Sequence, residues 1–181
     1  MAFDHDTELS LAFVVALVNG EGSDGEELRD LDDLERLARA HRWTGRRDRS
    51  AAELEAVRAL RPVLRAIWEA EEDGVVAIVN GLLRDSDAVP QLVRHDDHPY
   101  HVHATPPDAP LATRMAADAA MAFVEVVRLG ELSRLRLCDY PGCGNVLVDL
   151  SKNRSKRFCD SGCGNRAAVT AYRARKAAAR S

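Results

Sequence analysis

The chain has four cysteines, Cys138, Cys143, Cys159 and Cys163, and 137 residues precede the first of them. All four fall within 26 positions, spaced C-x4-C, then fifteen residues, then C-x3-C. Two close thiol pairs with a short segment between them match the layout of a tetrahedral zinc site, each pair gripping one side of the ion. Two disulfides or four ordinary thiols are the competing readings. Disulfides need an oxidising compartment, and the opening MAFDHDTELS carries acid where an export signal has a basic region. The spacing therefore predicts one structural Zn2+, with no open coordination position for catalysis.

The cysteines also mark a break in charge. Residues 1–130 hold 14 Lys and Arg against 25 Asp and Glu, a net −11, whereas residues 131–181 hold 11 against 4, a net +7. Four thiolates and one Zn2+ leave −2, so the loaded segment sits nearer +5. Such asymmetry predicts two modules, 1–130 and 131–181, with different partners. A hydrophobic content of 46% allows a sizeable core. The apolar run from Leu9 to Val18 is too short to cross a bilayer. A soluble, cytoplasmic protein without membrane partners is the expectation.

The N-terminal module reads as mainly α with a small β-hairpin. Leu9–Asn19 suits a buried helix face ended by Asn19-Gly20, although Val14, Val15 and Val18 leave a strand open. Residues 21–29 read as a loop. Asp30 caps a helix to about His41, with Leu31, Leu34, Leu37 and Ala38 on one face. Ser50 with Glu53 is a capping box, opening a helix that carries Leu54, Val57, Leu60, Leu64, Ile67 and Trp68. Pro62 predicts a kink or break at Arg61. Further helices are expected over Val75–Leu83 and Leu111–Leu129.

Two short alternating runs at 90–94 and 100–104 predict the hairpin, which holds His95, His98, His101 and His103. With Asp96 and Asp97 these offer a second metal site; the plainer reading puts the histidines on the wet face of the hairpin. The chain has no Gly-rich phosphate loop, nucleophile elbow or paired His-Glu spacing, so no enzymatic activity is expected.

In the second module, Val146–Leu150 reads as a strand, Ser151–Arg154 as a turn and Ser155–Phe158 as the return. Cys159 then opens a helix, where a spacing of four puts Cys159 and Cys163 on one side. Knuckle, hairpin and helix make a small treble-clef-like zinc finger. Cys163-Gly-Asn-Arg166, with Arg157-Phe-Cys159 before it and Tyr172-Arg-Ala-Arg175 after it, resembles the CGNR zinc finger. The preceding chain resembles the ABATE domain that accompanies this finger in bacterial stress-induced transcriptional regulators. The resemblance implies zinc on Cys138, Cys143, Cys159 and Cys163, DNA as partner of the finger, and a regulatory or ligand-binding N-terminal domain. The chain departs from the family at Phe158, where Trp is usual, at Ala167 and Ala168, where a lysine is usual, and at Ala16-Leu-Val-Asn19-Gly20, where the family favours Asp-aromatic-Val-Asn-Thr.

Lys152, Arg154, Lys156 and Arg157 cluster on the hairpin turn. Arg166, Arg173, Lys176 and Arg180 share one sector of the last helix, and Ala167, Ala171, Ala174 and Ala178 form a separate packing stripe. These eight cations are the DNA-contact candidates, since phosphates need clustered positive charge and base edges need forked donors. Arg157 and Arg166 are equally suited to offsetting the thiolates or pairing with Asp149 or Asp160, and Asn165 to bonding a hairpin carbonyl or a zinc-bound sulfur. The function expected is a DNA-binding transcriptional regulator. The rivals are a zinc-stabilised protein-interaction module, docking an acidic partner or the chain's own acidic domain, and an enzyme centred on the histidines. A homodimer and a small-molecule ligand of the N-terminal domain are further candidate partners.

Overall fold

The computed structural model describes residues 3–22, 25–94 and 100–179. Helix α5 (Leu111–Arg128) is the hub, against which α1 (His5–Asn19), α3 (Ala51–Arg65) and α4 (Glu72–Asp85) all pack. Its buried face carries Ala116, Ala119, Ala120 and Ala122 between Met115, Phe123 and Val126. Small side chains let neighbouring backbones come close, and the large ones fill the gaps that remain. Helix α2 (Leu31–Ala40) lies against α3.

Local capping follows the sequence. The Asp30 carboxylate accepts the Asp33 N–H at 2.9 Å, and the Ser50 hydroxyl accepts the Glu53 N–H at 3.2 Å. The return half of the capping box lands upstream: the Glu53 carboxylate accepts from the N–H groups of Asp48 and Arg49, at 3.0 and 2.9 Å.

Three expectations change. The strand alternative for residues 14–18 is lost to α1, which starts at an Asp4 cap and buries Leu11, Phe13, Val14, Leu17 and Val18. An element apolar on every side is one surrounded by partners, here α5, α3 and a strand of the finger. Pro62 does not break α3 at Arg61. The helix runs on to Arg65 and tightens into a 3-10 turn over Ala66–Trp68, so the proline costs one hydrogen bond in a final turn. Residues 21–29 include a minimal strand pair, β1 (Glu21–Gly22) with β2 (Gly25–Glu26), which sets Glu26 beside the buried Arg61. Arg61 also donates to the Leu17 carbonyl at 2.9 Å, satisfying the C-terminal end of α1.

The N-terminal hairpin is β3 (Gln91–Val93) with β4 (His101–His103), antiparallel, Leu92 opposite Val102. A second buried arginine, Arg114 of α5, fixes the loop before α3 by donating to the carbonyls of Thr44 and Arg46, and ties it to the loop before α5 through the Ala109 carbonyl. Gly45 passes so close that a side chain there would meet the Pro107 carbonyl at 2.5 Å. Among the described residues no helix is long and apolar enough to cross a membrane.

In the finger, β5 (Leu135–Leu137) pairs with β6 (Val146–Val148), so the hairpin flanks the knuckle at Cys138 and Cys143. The expected return strand, Ser155–Phe158, is not a strand; it touches the knuckle through one backbone bond, Asp139 N–H to the Arg157 carbonyl at 2.9 Å. Cys159 precedes the last helix rather than opening it. Helix α6 runs from Cys163 to Ala178 behind Gly162, whose φ of +77° turns the chain between the two cysteines. Strand β6 is buried throughout. Val146 and Val148 join the helical core, whereas Leu147, two-sidedness being built into a strand, faces the thiols.

Candidate metal centre and finger surface

The sulfurs of Cys143, Cys159 and Cys163 form a triangle with edges of 3.6, 3.5 and 3.4 Å. All four sulfurs lie within 4.8 Å of one another. A disulfide needs about 2.05 Å, so none of these pairs is bonded. A tetrahedral zinc with bonds of about 2.3 Å sets its sulfurs about 3.8 Å apart, which this cluster meets to within a few tenths of an ångström along those three edges. The donor set fits one structural zinc.

Local structure prepares the thiols for ionisation. The Cys159 N–H donates to the Cys138 sulfur at 3.4 Å, and the Asn145 amide donates to the Cys159 sulfur at 3.6 Å. The Arg166 guanidinium reaches the Cys163 sulfur at 2.9 Å and lies over the Tyr140 ring, 5.1 Å from its centre. Burial opposes ionisation of Cys159, yet the Ser161 N–H and the neighbouring thiols outweigh it and bring the group down to about 7. Burial and those same neighbours push Cys143 up to about 12. Cys159 thus ionises more readily than an ordinary thiol, and Cys143 and Cys163 less readily, until a cation arrives.

The CGNR run is explained by position. Cys163 supplies one of the four clustered sulfurs, Gly164 lies under the Phe158 ring, and the Arg166 guanidinium meets the Cys163 sulfur. The sulfur bond for which Asn165 was a candidate is made by Asn145, and Asn165 is exposed.

The turn after β6 is organised by Asp149, fully buried, which the sequence offers only as an ion-pair partner for Arg157 or Arg166. Its carboxylate accepts from the N–H groups of Ser151 and Lys156, both at 2.9 Å, and from the Ser151 hydroxyl. Burial works against its charge, but these donors hold its pKa below the ordinary carboxylate range. The cations expected at this turn are mostly engaged: Arg154 with Glu131 at 2.9 Å, Lys156 with Asp160 at 2.9 Å and Arg157 with Asp139 at 2.8 Å. Arg157 therefore pairs with neither Asp149 nor Asp160; Asp149 has Arg136 at 3.6 Å.

Lys152 on the turn, and Arg173, Arg175 and Lys176 on α6, are exposed with no carboxylate in pairing reach among the described residues. Arg175 lies outside the cationic sector and so was missed. Arg180 lies outside the described residues, as do His95, Asp96, Asp97 and His98. Helix α6 buries only Cys163. Of the alanine stripe expected to pack, Ala167 is half-buried and Ala171, Ala174 and Ala178 are exposed.

Three polar ties dock the finger on the helices. The Asn19 side chain bonds both backbone groups of Val146, donating at 2.9 Å and accepting at 2.8 Å. The Trp68 indole N–H donates to the Leu147 carbonyl at 3.0 Å, and Arg65 to the Gly144 carbonyl at 3.0 Å. In the sequence Asn19 reads only as a helix stop. The docking is apolar and hydrogen-bonded rather than a meeting of opposite charges. Beside Asn19, a groove of about 570 Å³ is lined by Leu17, Gly20, Glu26, Arg29, Arg36 and Arg61.

Fold and site together define a helical domain carrying a four-thiolate zinc finger. Residues 134–176 match the CGNR zinc finger. Residues 7–129 match ABATE, described as a putative stress-induced transcription regulator; that match covers more than half of the chain, and the chain belongs to this family. A comparison with curated proteins finds no match.

Proposed function

We propose that the chain regulates transcription by binding duplex DNA, with α6 in the major groove and Lys152 on a flanking phosphate. The carrying observation is the state of α6: sixteen residues, only Cys163 buried, and Arg173, Arg175 and Lys176 exposed without a carboxylate partner among the described residues. A helix of that length spans about 24 Å, and the major groove admits an α-helix. The exposed alanines of α6 allow close approach to the groove walls. Of the eight sequence candidates, Arg154, Lys156, Arg157 and Arg166 have intramolecular partners. They are assigned secondary contacts; Arg180, the eighth candidate, lies outside the described residues. The family description, a transcription regulator, supports the same reading. The groove beside Asn19 is the proposed place for an effector, since Asn19 also grips β6.

The test is anisotropy of labelled duplexes with the zinc-loaded full chain across a salt series. Affinity should fall steeply with salt. Changing Arg173, Arg175 and Lys176 to Ala should flatten the log–log slope by about 1 for every phosphate that a removed cation had neutralised. No binding to any duplex at low salt would contradict the proposal. A protein-interaction role is the second reading, favoured by Val169 and Tyr172, which are exposed on the same helix. It predicts no DNA binding and a partner that no longer associates with Tyr172→Ala.

A further inference from the structure

The N-terminal hairpin is built inside out. In a two-stranded sheet with one face on a protein core, the apolar residues are expected inward and the polar ones outward. Here the cross-strand pair Leu92 and Val102 is exposed, at 71% and 45%. His101 and His103, alternate residues of β4 and so on the opposite face, are half-buried. Exposing Leu92 and Val102 gives up burial that the opposite register would recover. The hairpin instead turns two imidazoles inward and brings them together. Their Nε2 atoms are 2.9 Å apart, with ring centres at 4.7 Å and planes inclined at 64°.

In the metal-free pair that separation is an ordinary N–H···N hydrogen bond between the rings, and it also fits a shared ion. Two nitrogens bound to one ion at about 2.0–2.1 Å lie about 2.9 Å apart at a right angle and about 3.4 Å apart at the tetrahedral angle. The imidazole pair matches the right angle, the cis arrangement of square-planar or octahedral coordination. We propose that His101 and His103 form a cis chelate for a tetragonal divalent ion, Cu2+ or Ni2+, separate from the thiolate zinc centre. Imidazole nitrogens suit these ions, and tetragonal nitrogen and oxygen geometry distinguishes them from zinc held by sulfur.

The surroundings supply negative charge. Asp118 of α5 accepts a hydrogen bond from the Ser10 hydroxyl of α1 at 3.3 Å. Burial, together with the charge of Asp6, raises its pKa to about 6, while the Ser10 hydrogen bond and the charge of His101 work in the opposite direction. Asp118 is the acidic group of α5 whose charge acts on His101, and a carboxylate is the usual outer partner of a metal-bound histidine.

The experiment uses the zinc-loaded full chain. It is equilibrated with Ni2+ at neutral pH and desalted, and both metals are counted by elemental analysis; affinity is read by calorimetry. Wild type should gain one nickel with zinc unchanged. The double variant His101→Asn, His103→Asn should bind at least about 100-fold more weakly, and Asp118→Asn about tenfold more weakly. With Cu2+ as the second probe, the electron paramagnetic resonance spectrum should carry couplings from two nitrogens, absent in the double variant. Helical circular dichroism checks folding; if the double variant loses it, the single variant His103→Asn is measured instead. No ion beyond zinc, uptake unchanged in the histidine variants, or nickel gained only as zinc is lost would each overturn the proposal. An unchanged affinity in Asp118→Asn would remove Asp118 from it.

Discussion

The helices bury Phe13, Leu64, Ile67, Met115 and Phe123 almost completely, whereas the finger buries little of its own beyond Leu147 and its thiols. The body is held by many interchangeable apolar contacts, so a single methyl group removed costs about 1 kcal/mol. The finger depends on one ion, whose binding is worth on the order of 10 kcal/mol in isolated zinc fingers. Strand β6 belongs to both: Val146 and Val148 complete the helical core, and Leu147 covers the metal site. The contrast shows that a charge boundary in a sequence need not be a mechanical one. Residues 131–181 differ from the body in charge, yet their strand is part of its core.

Among single substitutions the greatest loss is expected at Asn19. Asn19→Ala leaves both backbone groups of Val146 without their partner, so stability should fall by about 2–3 kcal/mol, read by denaturant unfolding. If body and finger are one cooperative unit, the same variant should also weaken zinc about tenfold in competition with a chromophoric chelator, since coupling is reciprocal. Zinc affinity identical to wild type would mean that the finger stands alone.

Glu26→Gln probes the body only and should be milder, about 1–2 kcal/mol at neutral pH. The Arg61 guanidinium holds Glu26 below its ordinary carboxylate range. The stabilisation is therefore complete above the unfolded value of about 4.3 and is lost as pH falls through the lower folded value. The gap between wild type and variant should be wide at pH 7 and close below about pH 4, with zinc affinity unaffected. A gap as wide in acid as at neutrality would remove Arg61 as the cause.

Periodic and punctuated features are readable from sequence. Asp30 and Ser50 announce α2 and α3 because a cap is a local event, satisfied within three residues. The zinc ligands are readable because chelation constrains spacing. Helix α1 is ambiguous because apolar residues stand on every side of it, the exposed Leu9 among them, and leave no period to read. Asn19 could not be foreseen, since its partner is 127 residues away and nothing local marks the bond. The same holds for the indole of Trp68 on Leu147 and for the carboxylates that engage Arg154 and Arg157. The alanine stripe of α6 misleads for another reason: small residues in register look alike in sequence whether packed or bare. The histidines are expected on the wet side because polar residues usually are, and the structure puts Leu92 and Val102 there instead.

The most direct test of the shared strand is zinc removal. The full chain is stripped by a chelator under reducing conditions, and the thermal unfolding of the helices is followed by circular dichroism. Without zinc the finger unfolds, and the body loses the burial of Val146 and Val148, about 3 kcal/mol, plus the bonds from Asn19 and Trp68, about 1 kcal/mol each. A loss near 5 kcal/mol should lower the midpoint of the helical transition by about 10–20 °C, restored on adding back one equivalent of zinc. A helical transition that melts at the same temperature with and without zinc would contradict the account.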